Sequence, residues 1–182
     1  VALHPDAPDT GGFVEPEVEI LHMFTATEGS FGWAVSAVAD LDGDGAMDVL
    51  TGAPFHGAGG MNSGKAYAYS SGTGELLFEW TGKQGDALGY AIADAGDLDG
   101  DGIPEIVVGA AGFKGPGHAL IYNGADGELL HDLAGEEEGA SLGSAVAGAG
   151  DVDDDGTPDL LIGAEGHAMA AGRVYLYSGA TF

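Results

Sequence analysis

The stretch DLDGDGAMD at residues 40–48 sets Asp40, Asp42, Asp44 and Asp48 within nine residues. It returns as DLDGDGIPE at 97–105 and as DVDDDGTPD at 151–159. Carboxylates crowded into one turn repel one another, so something must hold them together in each copy. The flanks repeat as well. Nine residues ahead of each loop stands an apolar residue followed by glycine, Phe31-Gly32, Leu88-Gly89 and Leu142-Gly143. Twelve residues after each first aspartate comes Gly-Ala, at Gly52-Ala53, Gly109-Ala110 and Gly163-Ala164. The period is 57 residues and then 54, which makes the chain an internal repeat.

Four strands are predicted in each unit. The first, GWAVSAVADL, GYAIADAGDL or GSAVAGAGDV, is rich in Ala, Gly and Ser and suits a crowded place near an axis. The second, MDVLTGA, PEIVVGA or PDLLIGA, is a short apolar run of the kind found where both faces are covered. The third alternates small or polar residues with aromatics: KAYAYS, HALIY, RVYLYS. The fourth, GELLFEW or GELLHDL, follows the turns Thr73-Gly74 and Asp126-Gly127. No segment keeps a helical apolar period beyond two turns. Four antiparallel strands at this period predict an all-β fold of β-propeller-type blades.

The third unit stops at YSGATF, where the others continue into a fourth strand. A counterpart stands at the other end. Residues 17–32, EVEILHMFTATEGSFG, parallel 74–89, with Ile20, Leu21 and Phe24 in the places of Leu76, Leu77 and Trp80. The expected organisation is an extended arm at 1–16, broken by Pro5, Pro8 and Pro16, and three blades across 17–182. Their boundaries fall at about 31–87, 88–141 and 142–182, with the strand at 17–30 completing a blade. Three blades lie below the roughly 4–8 of ordinary propellers. Two readings follow. In one, the N-terminal strand completes a blade of another copy, and the homo-oligomer is a six-bladed dimeric ring or an unclosed filament. In the other, these residues are part of a longer chain with more blades.

Composition narrows the partners. Thirty acidic residues stand against four basic ones, a formal charge of −26 over 182 residues. A nucleic-acid ligand is excluded, because phosphate binding needs a basic footprint. Anionic membrane surfaces are disfavoured for the same reason, and no apolar run is long enough to insert. Self-repulsion on this scale calls for cations. Cysteine is absent, which removes thiolate metal or redox chemistry.

In each loop, positions 1, 3 and 5 carry carboxylates, glycine at 6 allows a sharp bend, position 7 offers a carbonyl and position 9 a closing carboxylate. These are hard oxygen ligands in the number that Ca²⁺ takes. Site one would use Asp40, Asp42, Asp44, the Ala46 carbonyl and Asp48; site two Asp97, Asp99, Asp101, the Ile103 carbonyl and Glu105. Site three would use Asp151, Asp153, Asp155, the Thr157 carbonyl and Asp159. Magnesium fits less well, since it demands octahedral geometry and keeps its water. The loop is not an EF-hand: position 12 holds Thr51, Val108 or Ile162 where a glutamate would be needed, and strands flank it. Three structural Ca²⁺ would bring −26 to −20.

With Phe-Gly at 31–32 and Gly-Ala-Pro at 52–54 bracketing DxDxDGxxD, the chain resembles the FG-GAP repeat of integrin α-subunit β-propellers and related bacterial extracellular proteins. The match runs from about residue 17 onward. Units two and three depart from it, with Leu-Gly for Phe-Gly and GAA or GAE for GAP. The resemblance implies a propeller fold, calcium in the loops and a role in adhesion or protein interaction; seven blades are usual in that family.

Other chemistry finds little footing. Of the six histidines, His56 and His167 occupy equivalent places, as do His22 and His131, which reads as structural repetition. His118 opens a third strand and His4 lies in the arm. No Gly-x-Ser-x-Gly elbow or HExxH is present. No enzyme is expected. Tyr67, Tyr69, Tyr122, Tyr175 and Tyr177 recur on the third strand and are read as packing between blades. The sequence reading is an extracellular, calcium-binding structural or self-assembling propeller protein, since weak calcium sites fill outside the cell. The alternative is an adhesin-like or lectin-like module that binds protein or glycan on a propeller face.

Overall fold

The computed structural model of the protein describes residues 19–112 and 115–182. The arm expected at 1–16 and the start of the 17–30 segment lie outside the described residues. Blade one holds β1 (Ala34–Val38), β2 (Asp48–Ala53), β3 (Lys65–Tyr69) and β4 (Leu76–Thr81). Blade two holds β5 (Leu88–Gly96), β6 (Glu105–Ala110), β7 (His118–Tyr122) and β8 (Leu129–Ala134). Blade three holds β9 (Leu142–Gly150), β10 (Asp159–Ala164) and β11 (Arg173–Tyr177). Strands pair antiparallel in chain order within each sheet, giving two sheets of four strands and one of three. The acidic loops connect the first strand of each blade to its second, so Val38 faces Asp48 across the first hairpin.

The small residues of the first strands serve a crowded place, as their composition predicts. β1 packs against β5, and β5 against β9. The second strands are the most buried: every residue of β6 is buried. Alternation along them divides the core into two layers. Ile106, Val108 and Ala110 face blade one, together with Leu50, Ala68 and Trp80. Val107, with Ala119 and Ile121 of β7, faces Leu142, Leu160 and Ile162 of blade three. Burial of apolar area at about 25 cal/mol per Å² drives both layers.

Two contacts fix how neighbouring blades meet. Trp80 on β4 stacks on Tyr122 of the next blade with ring centroids 4.7 Å apart. Its indole N–H donates to the Gly127 carbonyl at 2.8 Å, so the ring is buried with its polar edge satisfied. The second contact is backbone against backbone. A Cβ placed on Gly52 would lie 2.0 Å from the Gly89 carbonyl oxygen, and one on Gly109 would lie 2.0 Å from that of Gly143. The glycine of each Gly-Ala pair is thus the seat for the glycine that follows the apolar residue of the next blade. Just before that apolar residue, Ser30, Ala87 and Ser141 adopt left-handed φ of 58°, 53° and 54°. Side-chain-bearing residues accept this conformation only where packing enforces it.

The segment from Glu19 onward repeats the first of these contacts. Phe24 packs on Tyr69 at 4.5 Å, as Trp80 packs on Tyr122. His22 lies over Gly74 as Phe78 lies over Gly127. Residues 19–30 therefore hold the place of an outer strand against blade one, yet join none of the three sheets.

Gly109→Ala is expected to destabilise the fold by about 2–3 kcal/mol, because the new methyl has backbone in its way. Gly57→Ala, with open space around the new methyl, should stay within about 0.5 kcal/mol of the parent. Urea unfolding of the two variants reads the difference.

Candidate metal centres

Each acidic loop is organised first by its own backbone. The Asp40 carboxylate accepts from the amides of Gly43 at 2.7 Å, Asp44 at 3.1 Å and Gly45 at 2.8 Å. Asp97 does the same for Gly100 and Gly102, and Asp151 for Asp155 and Gly156. These donated N–H groups, that of Gly45 foremost, hold Asp40 below its ordinary 3.8. At position 3, Asp42, Asp99 and Asp153 accept from the amide two residues on, at 3.1, 3.0 and 3.2 Å. At position 5, Asp44, Asp101 and Asp155 accept from Ala46, Ile103 and Thr157, the residues expected to offer carbonyls. An ionised carboxylate has about four acceptor sites, so each keeps capacity for a cation.

Position 9 differs in being inside the protein. Asp48 and Glu105 are 0% exposed and Asp159 is 1% exposed, each at the first residue of a second strand. Asp48 Oδ2 accepts from Leu41 N–H at 2.9 Å, and Oδ1 accepts from Ser71 N–H at 3.1 Å. Asp159 repeats this with Val152 at 2.7 Å and Gly179 at 3.2 Å. One carboxylate thus joins the start of its loop to the turn that follows the third strand. In blade two the side chain is one methylene longer. Glu105 Oε2 accepts from Leu98 at 2.5 Å, while Oε1 is buried without a hydrogen-bond partner. Burial pushes Asp48 above its ordinary 3.8 and Glu105 above 4.5. The amides of Leu41 and Leu98 work against that rise, and the charges of Asp42 and of Asp99 add to it.

The carboxylates converge. Ligand atoms of Asp40, Asp42 and Asp48 lie within 4.8 Å of one another, and so do those of Asp151, Asp153 and Asp159. In blade two the group within that distance is Asp97, Asp99 and Asp101. Positions 1 and 3 are brought together in all three loops. Position 9 joins them in blades one and three, and position 5 joins them in blade two. Asp44 and Asp155 stand outside these groups: Asp44 Oδ2 lies against Gly72, and Asp155 Oδ2 accepts the Ser178 hydroxyl at 3.2 Å.

These residues fit a hard divalent cation. The donors are all oxygen, and beside the blade-two group Glu105 keeps a buried oxygen without a well-formed hydrogen bond, although the Gly124 amide also favours its carboxylate. Positions 1, 3, 5 and 9 would hold Ca²⁺ with the position 7 carbonyl. The ion would supply the positive charge that lets these carboxylates share one turn. No histidine joins the groups among the described residues. His56 sits 3.4 Å from Glu28, His167 3.3 Å from Glu137 and His118 2.6 Å from Asp132.

Sequence reasoning overlooked the turn after the third strand. Asn123 Nδ2 donates to Asp99 Oδ2 at 2.9 Å, in the place where Ser178 serves Asp155. The signal was present: a small polar residue follows each third-strand tyrosine, in Tyr69-Ser70, Tyr122-Asn123 and Tyr177-Ser178.

Comparison with known proteins agrees with this architecture. The model of the FG-GAP repeat matches residues 31–69, 89–127 and 142–177. Integrin alpha-3 of Cricetulus griseus is 36% identical over 149 residues, covering 73% of this chain and 14% of the relative. Integrin alpha-6 of Gallus gallus is 34% identical over 165 residues, covering 84% and 15%. Integrin alpha-IIb of Homo sapiens is 35% identical over 161 residues, covering 78% and 15%. The chain spans about one-seventh of the length of these relatives. FG-GAP repeats of this kind are a non-enzymatic family. With three matched repeats forming three blades, the chain belongs to the FG-GAP repeat family of integrin-α-like β-propeller proteins.

Proposed function

We propose that the chain is a calcium-stapled structural module, self-assembling through its blades and placed on the cell surface or in the extracellular medium. The buried position-9 carboxylate carries this reading. Asp48 and Asp159 each tie a loop to a turn of their own blade while standing within 4.8 Å of two further carboxylates. Such a cluster is fixed to its own blade by backbone hydrogen bonds, and a cation there stabilises the blade. No helix among the described residues is long and apolar enough to cross a membrane. The extracellular placement follows the integrin names of the relatives and the calcium supply outside cells. Recognition of glycan on a tyrosine platform is the weaker reading, because Tyr122 is buried against Trp80 between blades one and two, Tyr67 is buried beside Phe31, and burial pushes both up to about 12.

Calorimetric titration of the chelated protein with Ca²⁺ should give a stoichiometry of about three, one ion per acidic loop. Asp42→Asn, Asp99→Asn and Asp153→Asn should each remove one site, since these position-3 groups are exposed and an asparagine oxygen can still accept the loop amide two residues on. Saturating a site a hundredfold adds about 2.7 kcal/mol of stability, so chelation should lower the unfolding midpoint. Absence of binding heat would overturn the reading.

Chelated protein should become more stable as pH falls through the raised values of Glu105 and Asp48 towards their ordinary 4.5 and 3.8. Asp48 and Glu105 have folded-state values raised above 3.8 and 4.5, so the stability they contribute is full below those values and lost as pH rises through the raised ones. Asp40, held low, acts in the opposite sense only below its ordinary 3.8. With Ca²⁺ saturating, the trend should invert, because protons and the ion compete for the same oxygens. Thermal unfolding across pH, with calcium and with chelator, checks this; identical slopes in both would contradict it.

A further inference from the structure

The two end faces of the three-blade array are the two halves of the interface that its blades already form with each other. On blade three, Val174 and Leu176 are 69% and 53% exposed, while their equivalents in blade two, Ala119 and Ile121, are fully buried against blade three. On blade one, Val35 is 70% exposed, while its equivalent Ile92 is buried against blade one. The backbone contact is split in the same way. Gly89 and Gly143 seat on Gly52 and Gly109, but nothing lies within 4 Å of a Cβ on Gly32. Gly163, the third Gly-Ala glycine, meets only Ala145 of its own blade. Among the described residues the parallel bridges Gly64 to Leu88 and Gly117 to Leu142 have no third member, which would join Gly172 to Phe31. The edges match too: among the described residues β11 has no outer partner, and residues 20–24 hold an outer-strand place without a sheet.

We infer that blade three of one chain docks on blade one of a second copy, with residues 20–24 of that copy pairing antiparallel with β11. The occupant is a second copy because each unmet contact on one face finds its counterpart on the other. Gly163 meets Gly32, Gly172 meets Phe31, and Val174 and Leu176 pack with Val35. The register is set by the other blades. Ala66 faces Trp80 and Ala68 faces Phe78; Ala119 faces Leu133 and Ile121 faces His131. Val174 then faces Phe24 of the second copy, and Leu176 faces its His22. Phe24 is already packed on Tyr69 of its own chain, so docking adds the strand to β11 without moving it. The interface is heterologous: two copies that close give six blades, and copies that fail to close give a filament. This inference rests on the self-assembling role proposed above and names its partner. Calcium ligands take no part in the interface.

The chain has no cysteine, which makes a paired-cysteine trap specific. In the calcium-loaded protein, His22→Cys with Leu176→Cys should oxidise to species of two or more chains on a non-reducing gel. The mixture of the two single variants should give the hetero-dimer of one His22→Cys and one Leu176→Cys chain. Both positions are exposed in a single chain, so neither substitution threatens the fold. Light scattering of the parent should show a mass above one chain, and Leu176→Glu should return it to one chain with an unchanged unfolding midpoint at high dilution. A parent of single-chain mass, or a disulfide that closes within one chain, would overturn the inference. A single-chain protein that still binds three Ca²⁺ would sink the interface and leave the metal sites standing. An assembly that persists without any calcium binding would do the reverse.

Discussion

Each blade turns on a carboxylate taken out of water at the first residue of its second strand. A buried carboxylate must find donors or a counter-charge, or it takes up a proton. Asp48 and Asp159 find two backbone amides from opposite sides, one from the loop behind and one from the turn ahead. That pair of bonds sets the loop against the turn, and the loop then presents its remaining carboxylates to the same small volume. The second strand, anchored at its start, delivers Ile106 and Val108 or their counterparts to one layer and Val107 to the other. Core, loop and metal centre are thus built from one anchored strand.

Negative charge and burial are in tension throughout. With 30 acidic residues against four basic ones, the few cations are placed sparingly. Lys65, its side chain 12% exposed, pairs with Glu79, and Arg173 pairs with Glu136 at the surface, where such a pair contributes only about 0–1 kcal/mol. Backbone amides carry most of the work of stabilising carboxylates inside the loops. They draw Asp40 down, but at Glu105 the amides of Leu98 and Gly124 do not offset burial.

Much of this could be read from the sequence, because repetition converts weak signals into strong ones. One DxDxDG turn is ambiguous, whereas three at matched distance from Phe-Gly and Gly-Ala define strands, turns and blade boundaries. What escaped reading lies across distances that periodicity does not report. The seating of Gly89 on Gly52 joins residues 37 apart, and nothing in either neighbourhood marks the contact. Ser30, Ala87 and Ser141 adopt left-handed backbone with residues that local preference would not choose. The anchoring of Asp48 by the amide of Ser71 is equally invisible, since a backbone donor leaves no trace in residue identity. The strand expected at 17–30 was legible as an apolar match to β4, yet its described residues 19–30 pair with none of the three sheets and carry the packing of a strand without the ladder.

Anomalous diffraction from crystals grown in calcium tests the central claim most directly, because it locates the ion without reference to stability or mass. The expected map shows one peak in each acidic loop, about 2.3–2.6 Å from carboxylate oxygens of positions 1 and 3 and of the buried residue at position 9. Empty loops, or peaks bound only by exposed carboxylates and clear of Asp48, Glu105 and Asp159, would contradict it.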